Sequence, residues 1–273
     1  MKYQVVIPYL ASAADGREIE YAIEGWRRYF LEDHQIIVVG EGASQLANNK
    51  NIKHPDLVLI ERERVPGRPG MYRQHLDYVA CWRQVHRDYP ADGFIFVADD
   101  VYAMNNFTIT DVKVNKIQSM SFVGDMGSLN GWSVDKARTR RLLDKEGLPH
   151  RNFTTHLPIW FDWDKWEQIV DRYNMDEESY VVEDLYGNTF LTGDAVLLGG
   201  EGDFYRHPVW TTIYSPKELI SKLDRKIWLV NSVSGWNLHL ADFLRFKYGY
   251  AYIEEVNKKA LDAGAQDAGP RQS

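Results

Sequence analysis

Two adjacent aspartates, Asp99 and Asp100, are the side chains whose type and spacing most directly indicate chemistry in this sequence. They follow the apolar run FIFVA at 94–98, which is typical of a buried strand. Neighbouring carboxylates repel each other unless a cation neutralises them, and Mn²⁺ or Mg²⁺ binds carboxylate oxygens while leaving positions for phosphate oxygens. The pair therefore predicts a site for Mn²⁺ or Mg²⁺. The alternative is that one aspartate caps a turn and the other is solvated.

Other familiar sites are absent from the sequence. It contains no GxxxxGK phosphate loop, no GxGxxG dinucleotide fingerprint, no GxSxG elbow and no cluster of Cys and His that would hold structural zinc. The single cysteine, Cys81, lies in an apolar helical stretch, so we expect a small buried residue rather than a nucleophile. A chain with one cysteine cannot form an internal disulfide, which fits a reducing compartment.

The elements that must position these residues alternate in the first hundred residues. Continuous apolar runs predict strands at 3–7, 36–39, 57–60 and 94–97, the first ending at Pro8. Helical spacing predicts helices at 19–30, with a capping box from Asp15 and Glu18, and at 71–89. Apolar strands alternating with helices predict a parallel sheet with helices on both faces, whose ligands bind beyond the carboxyl ends of the strands.

The second half of the sequence is less regular. We expect a strand at 121–124, helices at 133–146, 163–173 and 238–246, and extended segments at 194–198, 209–213 and 227–230. Residues from 263 onward are small and polar, which predicts disorder. The chain is therefore expected to form a single domain over 1–262, divided into halves at 1–110 and 111–262, with a disordered tail at 263–273.

Composition limits the possible partners. The chain has 273 residues and a net charge of −7, and a protein that wraps nucleic acid would usually present a basic surface. No apolar run is long enough to span a bilayer, and the N-terminus lacks a signal-peptide pattern, so a cytoplasmic location is expected. The nine tryptophans include Trp132, Trp160, Trp210 and Trp236 as candidate platforms for an acceptor, and the sequence does not select among them.

The ordered set of VVIP at 5–8, IIVVGE at 36–41 and a strand that runs into Asp99-Asp100 resembles the nucleotide-sugar half of GT-A glycosyltransferases. Those enzymes carry an acidic metal motif after that strand, often Asp-x-Asp, whereas this chain has Ala98 before the pair. The resemblance implies a GT-A-like (Rossmann-like) α/β fold with a less regular acceptor-binding half. It also implies a set of nucleotide-binding residues, namely Pro8, Tyr9, Glu41, Arg68, Arg73 and Gln74.

The same resemblance implies catalytic roles in the second half. In inverting GT-A enzymes an acidic residue of a Glu-Asp pair removes the proton from the acceptor hydroxyl. Glu183-Asp184 resembles that pair, with Asp184 as the expected base and Asp194 as a fallback. A late histidine often reaches the metal or the diphosphate, and His239 is the expected candidate.

A second resemblance competes with the first. THLP at 155–158 and YGN at 186–188 resemble later blocks of Stealth-type sugar-phosphate transferases, and similar arrangements occur in uncharacterised phage and prophage proteins. This resemblance implies a site role for His156, as an acid/base or a phosphate contact. In a phage-encoded protein the expected compartment would be the host cytoplasm.

Three functions follow as hypotheses. The first is metal-dependent transfer of a sugar from a nucleotide-sugar, with UDP-sugars among the candidate donors, to an acceptor hydroxyl. The second is hexose-1-phosphate transfer of the Stealth type, and the third is a non-catalytic protein that binds nucleotide-sugars or glycans. The sequence leaves the acceptor open between a glycan, a protein, a small molecule and a modified DNA base.

Overall fold

The computed structural model describes residues 2–14, 17–67, 73–120, 131–199, 203–209, 214–231 and 236–249. Its strands are β1 (Tyr3–Leu10), β2 (His34–Glu41), β3 (Leu57–Glu61), β4 (Gly93–Phe96), β5 (Val101–Ala103), β6 (Lys116–Ile117), β7 (Ile159–Asp162), β8 (Val196–Leu197), β9 (Arg206–Val209) and β10 (Trp228–Asn231). Its helices are α1 (Glu18–Tyr29), α2 (Arg73–Asp88), α3 (Ile109–Lys113), α4 (Gly131–Glu146), α5 (Trp163–Arg172), α6 (Val182–Phe190), α7 (Pro216–Leu223) and α8 (Leu238–Tyr248), with a 3₁₀ helix at Ala43–Asn48.

The central sheet has five strands in the order β3-β2-β1-β4-β7. The pairs β1–β2, β2–β3 and β1–β4 are parallel, and β7 closes the edge antiparallel to β4. The chain builds outward from β1 through β2 to β3 and then returns to the other side of β1 for β4. This reversal places a topological switch point between the carboxyl ends of β1 and β4, which is where open α/β sheets bind ligands.

Helices cover both faces of this sheet. Val5 and Ile7 of β1 pack in one apolar cluster with Trp26 of α1, whereas Val6 packs in the other with Trp82 of α2. Alternate strand residues thus enter opposite cores, as expected for a strand that is buried on both faces. The predicted α/β class, with a mostly parallel sheet flanked by helices, is confirmed.

The second half adds two small sheets beside the main one. One has the order β5-β10-β9, in which β10 runs antiparallel to β5 and parallel to β9, and the other pairs β6 with β8. Because β5 begins at Val101, directly after Asp100, the small sheet continues from the aspartate pair. Within the described ranges, no helix is both long enough and apolar enough to cross a bilayer.

Most predicted element bounds shift by a few residues, and one differs for a clear reason. Strand β1 does not end at Pro8 but continues to Leu10. The Val6 carbonyl accepts a hydrogen bond from Val97 on the β4 side, so the backbone of Pro8, two residues later, faces the same side. The β4 pairing has ended there, so the missing N–H of proline costs no ladder bond.

The predicted helices of the second half are found as α4, α5 and α8. The extended segment at 194–198 contains β8, and the one at 227–230 overlaps β10. At 209–213 only Val209 is described, as the last residue of β9. Asp15 of the expected capping box, the expected strand at 121–124 and the tail at 263–273 lie outside the described residues. The residue before α1 is Arg17, which provides no side-chain cap.

Candidate active site at the switch point

A cavity of about 410 Å³ opens between the carboxyl ends of the parallel strands. It is lined by Pro8 and Tyr9 from β1, Gly40 and Glu41 from β2, the segment at 62–64 after β3, and the segment at 98–100 after β4. The first residues of α2 complete the wall, among them Arg73 and Gln74. Of the twelve residues expected to form the site, the fold brings eight to this cavity: Pro8, Tyr9, Glu41, Arg73, Gln74, Asp99, Asp100 and His156.

One wall of the cavity is acidic. Asp99, Asp100 and Glu18 line it together, and the Oδ1 atom of Asp100 is buried without a hydrogen-bond partner. Burial, followed by the charges of Asp99 and Glu18, raises the pKa of Asp100 well above its usual value. Asn231 holds Asp100 and Glu18 in position relative to each other. Its backbone N–H donates to the Asp100 carbonyl over 3.2 Å, and its side-chain amide donates to Glu18 over 2.7 Å.

The opposite wall carries three arginines together with the carboxylates of Glu63 and Asp77. Arg62, Arg64 and Arg73 line the cavity, and Asp77 of α2 holds two of them. The Arg64 Nε lies 2.9 Å from the Asp77 carboxylate and the Arg73 Nε lies 3.9 Å from it. The other Asp77 oxygen accepts from the backbone of Val65 over 2.8 Å, which ties the loop after β3 to α2. One carboxylate thus positions two guanidinium groups that line the same cavity as the aspartate pair.

The cavity lining between these walls includes Gly40, where the backbone requires a glycine. Gly40 has φ of 146°, and a Cβ at this position would lie 2.0 Å from the carbonyl oxygen of Tyr9. Only glycine permits this approach of β2 to the end of β1. Glu61, whose carboxylate accepts from the backbones of Gly42 and Ser44 over 2.8 Å each, fixes the turn that follows Glu41.

A second cavity of about 280 Å³ adjoins the first. The two share Gln74, Tyr78, Ala98 and His156 in their walls, so these four residues mark the junction. The remaining wall of the second cavity comes from His75, Phe96, Trp132, Phe153, Thr154, Thr155, Leu157 and Glu183. The site therefore has two compartments, one strongly charged and one mainly aromatic and hydroxyl-bearing.

The two carboxylates of the Glu-Asp pair lie in different surroundings. Glu183 lines the second cavity, and its Oε2 is buried without a hydrogen-bond partner. Burial raises the pKa of Glu183 above its usual value of 4.5, whereas His75 and Lys136 act in the opposite direction. Asp184 is fully buried, is paired with the Lys136 ammonium at 3.0 Å and accepts from the backbone of Phe153 over 2.6 Å. Asp184 lines neither cavity and has the position of a structural residue.

A buried histidine supports the second cavity. The Nδ1 atom of His75 lies 2.9 Å from the Oδ2 of Asp135, which is itself fully buried and also accepts from the Ser179 hydroxyl. This contact fixes the orientation of the imidazole ring, since one ring nitrogen is committed to the carboxylate. His75 therefore presents a ring of defined orientation to the cavity that Glu183 also lines.

His156 lies at the junction in an unusual backbone conformation. Its φ of 55° is in the left-handed region, which costs energy for a residue with a side chain and tends to occur at functional sites. The side chain is exposed to the cavity but surrounded by protein atoms. Burial and the charges of Arg206 and Lys136 lower its pKa to about 4, so the ring is neutral near pH 7. A neutral imidazole can exchange hydrogen bonds with a substrate but cannot neutralise a phosphate.

The remaining predicted residues lie elsewhere. His239 is exposed near the start of α8 and lines neither cavity, and Arg68 is outside the described residues. Asp194, the fallback base, is exposed and also lines neither cavity. Burial raises the pKa of Cys81 to about 12, so its thiol stays protonated, as expected for a structural cysteine.

Sequence reasoning did not select Arg62, Arg64 or Tyr78. The two arginines directly follow β3, whose carboxyl end meets the same sheet edge as those of β1, β2 and β4. Ligands of such sheets bind beyond the carboxyl ends of the strands, and the same expectation applied to β3 identifies both arginines. Tyr78 lies one helical turn after Gln74, whose amide donates to its hydroxyl, but α2 as a whole gave no signal that this face lines a cavity.

No family model and no curated protein matches the sequence. Solved structures similar to this one include WbbM, a bifunctional glycosyltransferase, with a TM-score of 0.50 and 11% identity over 94% of this chain. The match covers 51% of WbbM, so this chain spans about half of its length. Mouse xyloside xylosyltransferase 1 gives a TM-score of 0.43 at 11% identity, covering 87% of this chain and 100% of the mouse chain. The galactosyltransferase LgtC, solved with donor and acceptor sugar analogues, gives 0.41 at 10% identity, covering 94% and 99% of the two chains.

The likeness to WbbM concerns the fold, because 11% identity over a common architecture says little about individual residues. The resemblances to Stealth-type transferases and to phage proteins remain sequence predictions. With its strand order and the switch point between β1 and β4, the chain has a GT-A-like α/β fold, as the sequence predicted.

Proposed function

We propose that this protein transfers a sugar from a nucleotide-sugar donor to an acceptor hydroxyl. The observation that carries the proposal is the pairing of an arginine wall with two adjacent aspartates across one cavity at the switch point. A diphosphate that binds a divalent cation needs both, because arginine neutralises its oxygens in charge-assisted contacts and the cation needs carboxylate ligands. The arginines alone would not account for the adjacent aspartates, and the aspartates alone would not account for the arginines.

Asp99 and Asp100 are suited to hold Mn²⁺ or Mg²⁺. Hard oxygen ligands suit these ions, and the buried, unpartnered Oδ1 of Asp100 is the kind of atom that a cation would satisfy. Among the described residues no group of three or more His, Cys, Asp and Glu side chains could hold a metal. Asp99 and Asp100 would therefore hold the ion together with oxygens of the diphosphate. When bound, the ion would stabilise negative charge on the leaving diphosphate.

Glu183 is the best-placed general base. It lines the second cavity beside the junction, has an unpartnered carboxylate oxygen, and has a raised pKa that brings it closer to the working pH of a base. The acceptor oxygen would attack the anomeric carbon as its proton passes to Glu183, and the bond to the diphosphate would break with its electron pair retained by the leaving group. Asp184 would contribute by holding α6 in place through Lys136.

The proposal is tested by calorimetric titration with UDP-, GDP- and CDP-sugars, with and without Mn²⁺. We expect at least one to bind in a Mn²⁺-dependent manner, and Asp100→Ala to abolish that dependence. Asp164→Ala is the matched control, since Asp164 is exposed and lines neither cavity. Nucleotide-sugar binding of equal strength in Asp100→Ala would contradict the assignment of the metal site.

The by-product separates the three hypotheses from the sequence. Sugar transfer releases a nucleoside diphosphate, hexose-1-phosphate transfer releases a nucleoside monophosphate, and a binding protein releases neither. Chromatography of the nucleotides after incubation with donor, Mn²⁺ and a mixture of acceptors gives the answer directly. Release of the monophosphate would replace the proposed reaction with the Stealth-type one.

A further inference from the structure

We infer that the second cavity binds an uncharged sugar ring of the acceptor, stacked on Trp132. This inference rests on the proposed function, because it treats the first cavity as the donor site and the second as the place from which the attacking hydroxyl comes. It narrows the four acceptor classes that the sequence leaves open to a neutral carbohydrate.

The first argument is the ring of Trp132. This side chain lies in the first turn of α4, keeps 36% of its surface exposed and lines the second cavity. The Lys136 ammonium lies 4.9 Å from the ring centroid, so the indole is held in place although it is not buried. An aromatic face carries partial negative charge, and the C–H face of a sugar ring is apolar with slight positive charge, so the two stack favourably.

The second argument is the difference in charge between the compartments. Three arginines line the first cavity, whereas the described lining of the second contains no arginine and no lysine. Arg206 and Lys136 lie nearby but outside the lining. Arg206 is 6% exposed and donates to the Thr155 carbonyl and the Gln118 side chain, and Lys136 is 1% exposed with its charge balanced by Asp184 at 3.0 Å. Glu183 adds a potential negative charge to the wall. A phosphorylated acceptor or a nucleic acid brings negative charge that this compartment would not neutralise.

The third argument is the kind of polar group present. The lining provides hydroxyl, amide and imidazole groups from Thr154, Gln74, His75 and His156 beside the carboxylate of Glu183. These groups exchange hydrogen bonds with sugar hydroxyls without needing a counter-charge. A volume of about 280 Å³ is at the lower end for ligand pockets, which favours one ring rather than an extended chain.

The test compares uncharged and phosphorylated sugars as probes. Saturation-transfer NMR would measure the binding of methyl β-D-glucopyranoside, methyl β-D-galactopyranoside and methyl α-D-mannopyranoside, and of the 6-phosphates of the same three sugars. We expect at least one neutral glycoside to bind and its phosphorylated counterpart to bind at least about tenfold more weakly, as for an anion placed beside a carboxylate.

Variants of Trp132 assign the contact to one ring. Trp132→Ala should weaken glycoside binding by about tenfold, whereas Trp132→Phe, which keeps an aromatic face, should lose much less. Phe204→Ala is the matched control, because Phe204 is 46% exposed and lines neither cavity. If Trp132→Ala does not fold, the Phe variant and the comparison of probes on the unaltered protein still decide the question.

Nucleotide-sugar binding is measured on the same samples to separate this inference from the proposed function. If the unaltered protein bound none of the nucleotide-sugars, the proposed function would be overturned and the inference with it. Three results would overturn the inference alone while nucleotide-sugars still bind. They are the absence of glycoside binding, stronger binding of the 6-phosphates than of the neutral glycosides, and full glycoside binding in Trp132→Ala.

Discussion

Glu183 and Asp184 are adjacent in the sequence, yet α6 places one beside the cavity and the other in the core. Successive residues of an α-helix project about 100° apart, since each turn holds about 3.6 residues. Helix α6 turns Glu183 toward the second cavity and Asp184 toward Lys136 of α4. The consequence is a division of roles between neighbours of nearly identical chemistry: one carboxylate is available to a substrate, and the other is committed to a buried ion pair.

Replacing Glu183 tests the first of these roles. Glu183→Gln keeps the size of the side chain but removes its ability to accept a proton, so we expect kcat for transfer to fall by about 10²–10⁴-fold. Donor affinity should change little, because Glu183 lines the second cavity and not the first. Steady-state kinetics and donor calorimetry on the same sample measure both quantities. A variant with unaltered kcat would remove Glu183 from the reaction.

The pH dependence of kcat gives a second test of Glu183. Burial raises the pKa of this carboxyl, so the proton-accepting form is lost at a higher pH than for an ordinary glutamate, whose pKa is 4.5. As the pH falls, kcat at saturating donor should therefore decline through the raised pKa. The residual activity of Glu183→Gln should lack this acidic limb. An identical limb in the variant would assign the titration to another group.

Replacing Asp184 tests the structural role. Asp184→Ala leaves the buried Lys136 ammonium without its counter-charge, although its hydrogen bonds to Asn152 and Thr154 remain, and such a change costs up to about 3–5 kcal/mol in the free energy of unfolding. The surface pair of Arg172 and Glu146 offers a matched control, since Glu146→Ala should cost no more than about 1 kcal/mol. Urea unfolding followed by tryptophan fluorescence measures both variants. If Asp184→Ala and Glu146→Ala lowered the free energy of unfolding equally, burial of the Asp184–Lys136 pair would not be what makes it important for stability.

At the scale of elements, the site depends on how closely β1 and β2 approach at their carboxyl ends. Gly40→Ala introduces a Cβ 2.0 Å from the Tyr9 carbonyl at a backbone angle that favours glycine. We expect a loss of about 1–3 kcal/mol in the free energy of unfolding and weaker donor binding, because Tyr9 and Glu41 would move apart. Thermal unfolding and donor calorimetry measure the two effects.

Gly67 provides the control for this substitution. A Cβ on Gly67 meets nothing within 4 Å, so Gly67→Ala should change stability by no more than about 0.5 kcal/mol. If both alanine variants behaved alike, the close approach of the two strands would not be what requires glycine at position 40.

The strands of the first half were predictable because their signal is local. Buried parallel strands read as continuous apolar runs, and polar residues directly after them must lie at one sheet edge. The sequence therefore predicts Pro8, Glu41 and Asp100 at one sheet edge, and all three line the first cavity. Strand β7, by contrast, contains Trp160 and Asp162 and pairs antiparallel to β4 at the sheet edge. Nothing in its own residues identifies that partner.

The second half was harder to predict because its geometry arises from non-local contacts. The sequence marks Glu183-Asp184 as a pair, but which member faces the cavity depends on the position of Lys136 on α4. In the same way, His239 follows an apolar segment as a ligand would, yet α8 leaves it exposed and away from both cavities. Pairing between distant elements, rather than residue type, decides these cases.

At the scale of the whole molecule, charge is divided between the surface and the site. The chain carries a net charge of −7, but the first cavity holds three arginines in one wall. The same cavity is also lined by six carboxylates, those of Glu18, Glu41, Glu63, Asp77, Asp99 and Asp100. Attraction of a nucleotide-sugar therefore depends on direct contact between its diphosphate and the arginines. Coulomb energy falls with distance, so contacts at a few ångströms should outweigh charges spread over the surface.

This balance predicts how salt acts on each compartment. The Debye length falls from about 10 Å at 0.1 M salt to about 3 Å at 1 M, so added NaCl screens the attraction between the arginines and the diphosphate. We expect the Kd of the nucleotide-sugar to rise several-fold between 50 and 500 mM NaCl, since each charge-assisted contact contributes about 1.5–3 kcal/mol at low salt. The Kd of a neutral glycoside in the second cavity should stay constant, because no charge is neutralised there.

Arg64→Ala should reduce the salt dependence of nucleotide-sugar binding, because it removes one guanidinium from the wall of the first cavity. Arg141→Ala removes the same charge from an exposed position that lines neither cavity, so it should leave the dependence unaltered. Calorimetry across a salt series on the three proteins measures the slopes. Nucleotide-sugar binding that strengthens with salt would mean that the net charge of −7 dominates and that the arginines do not contact the diphosphate. A lower slope confined to Arg64→Ala would locate the anionic part of the donor beside the loop after β3.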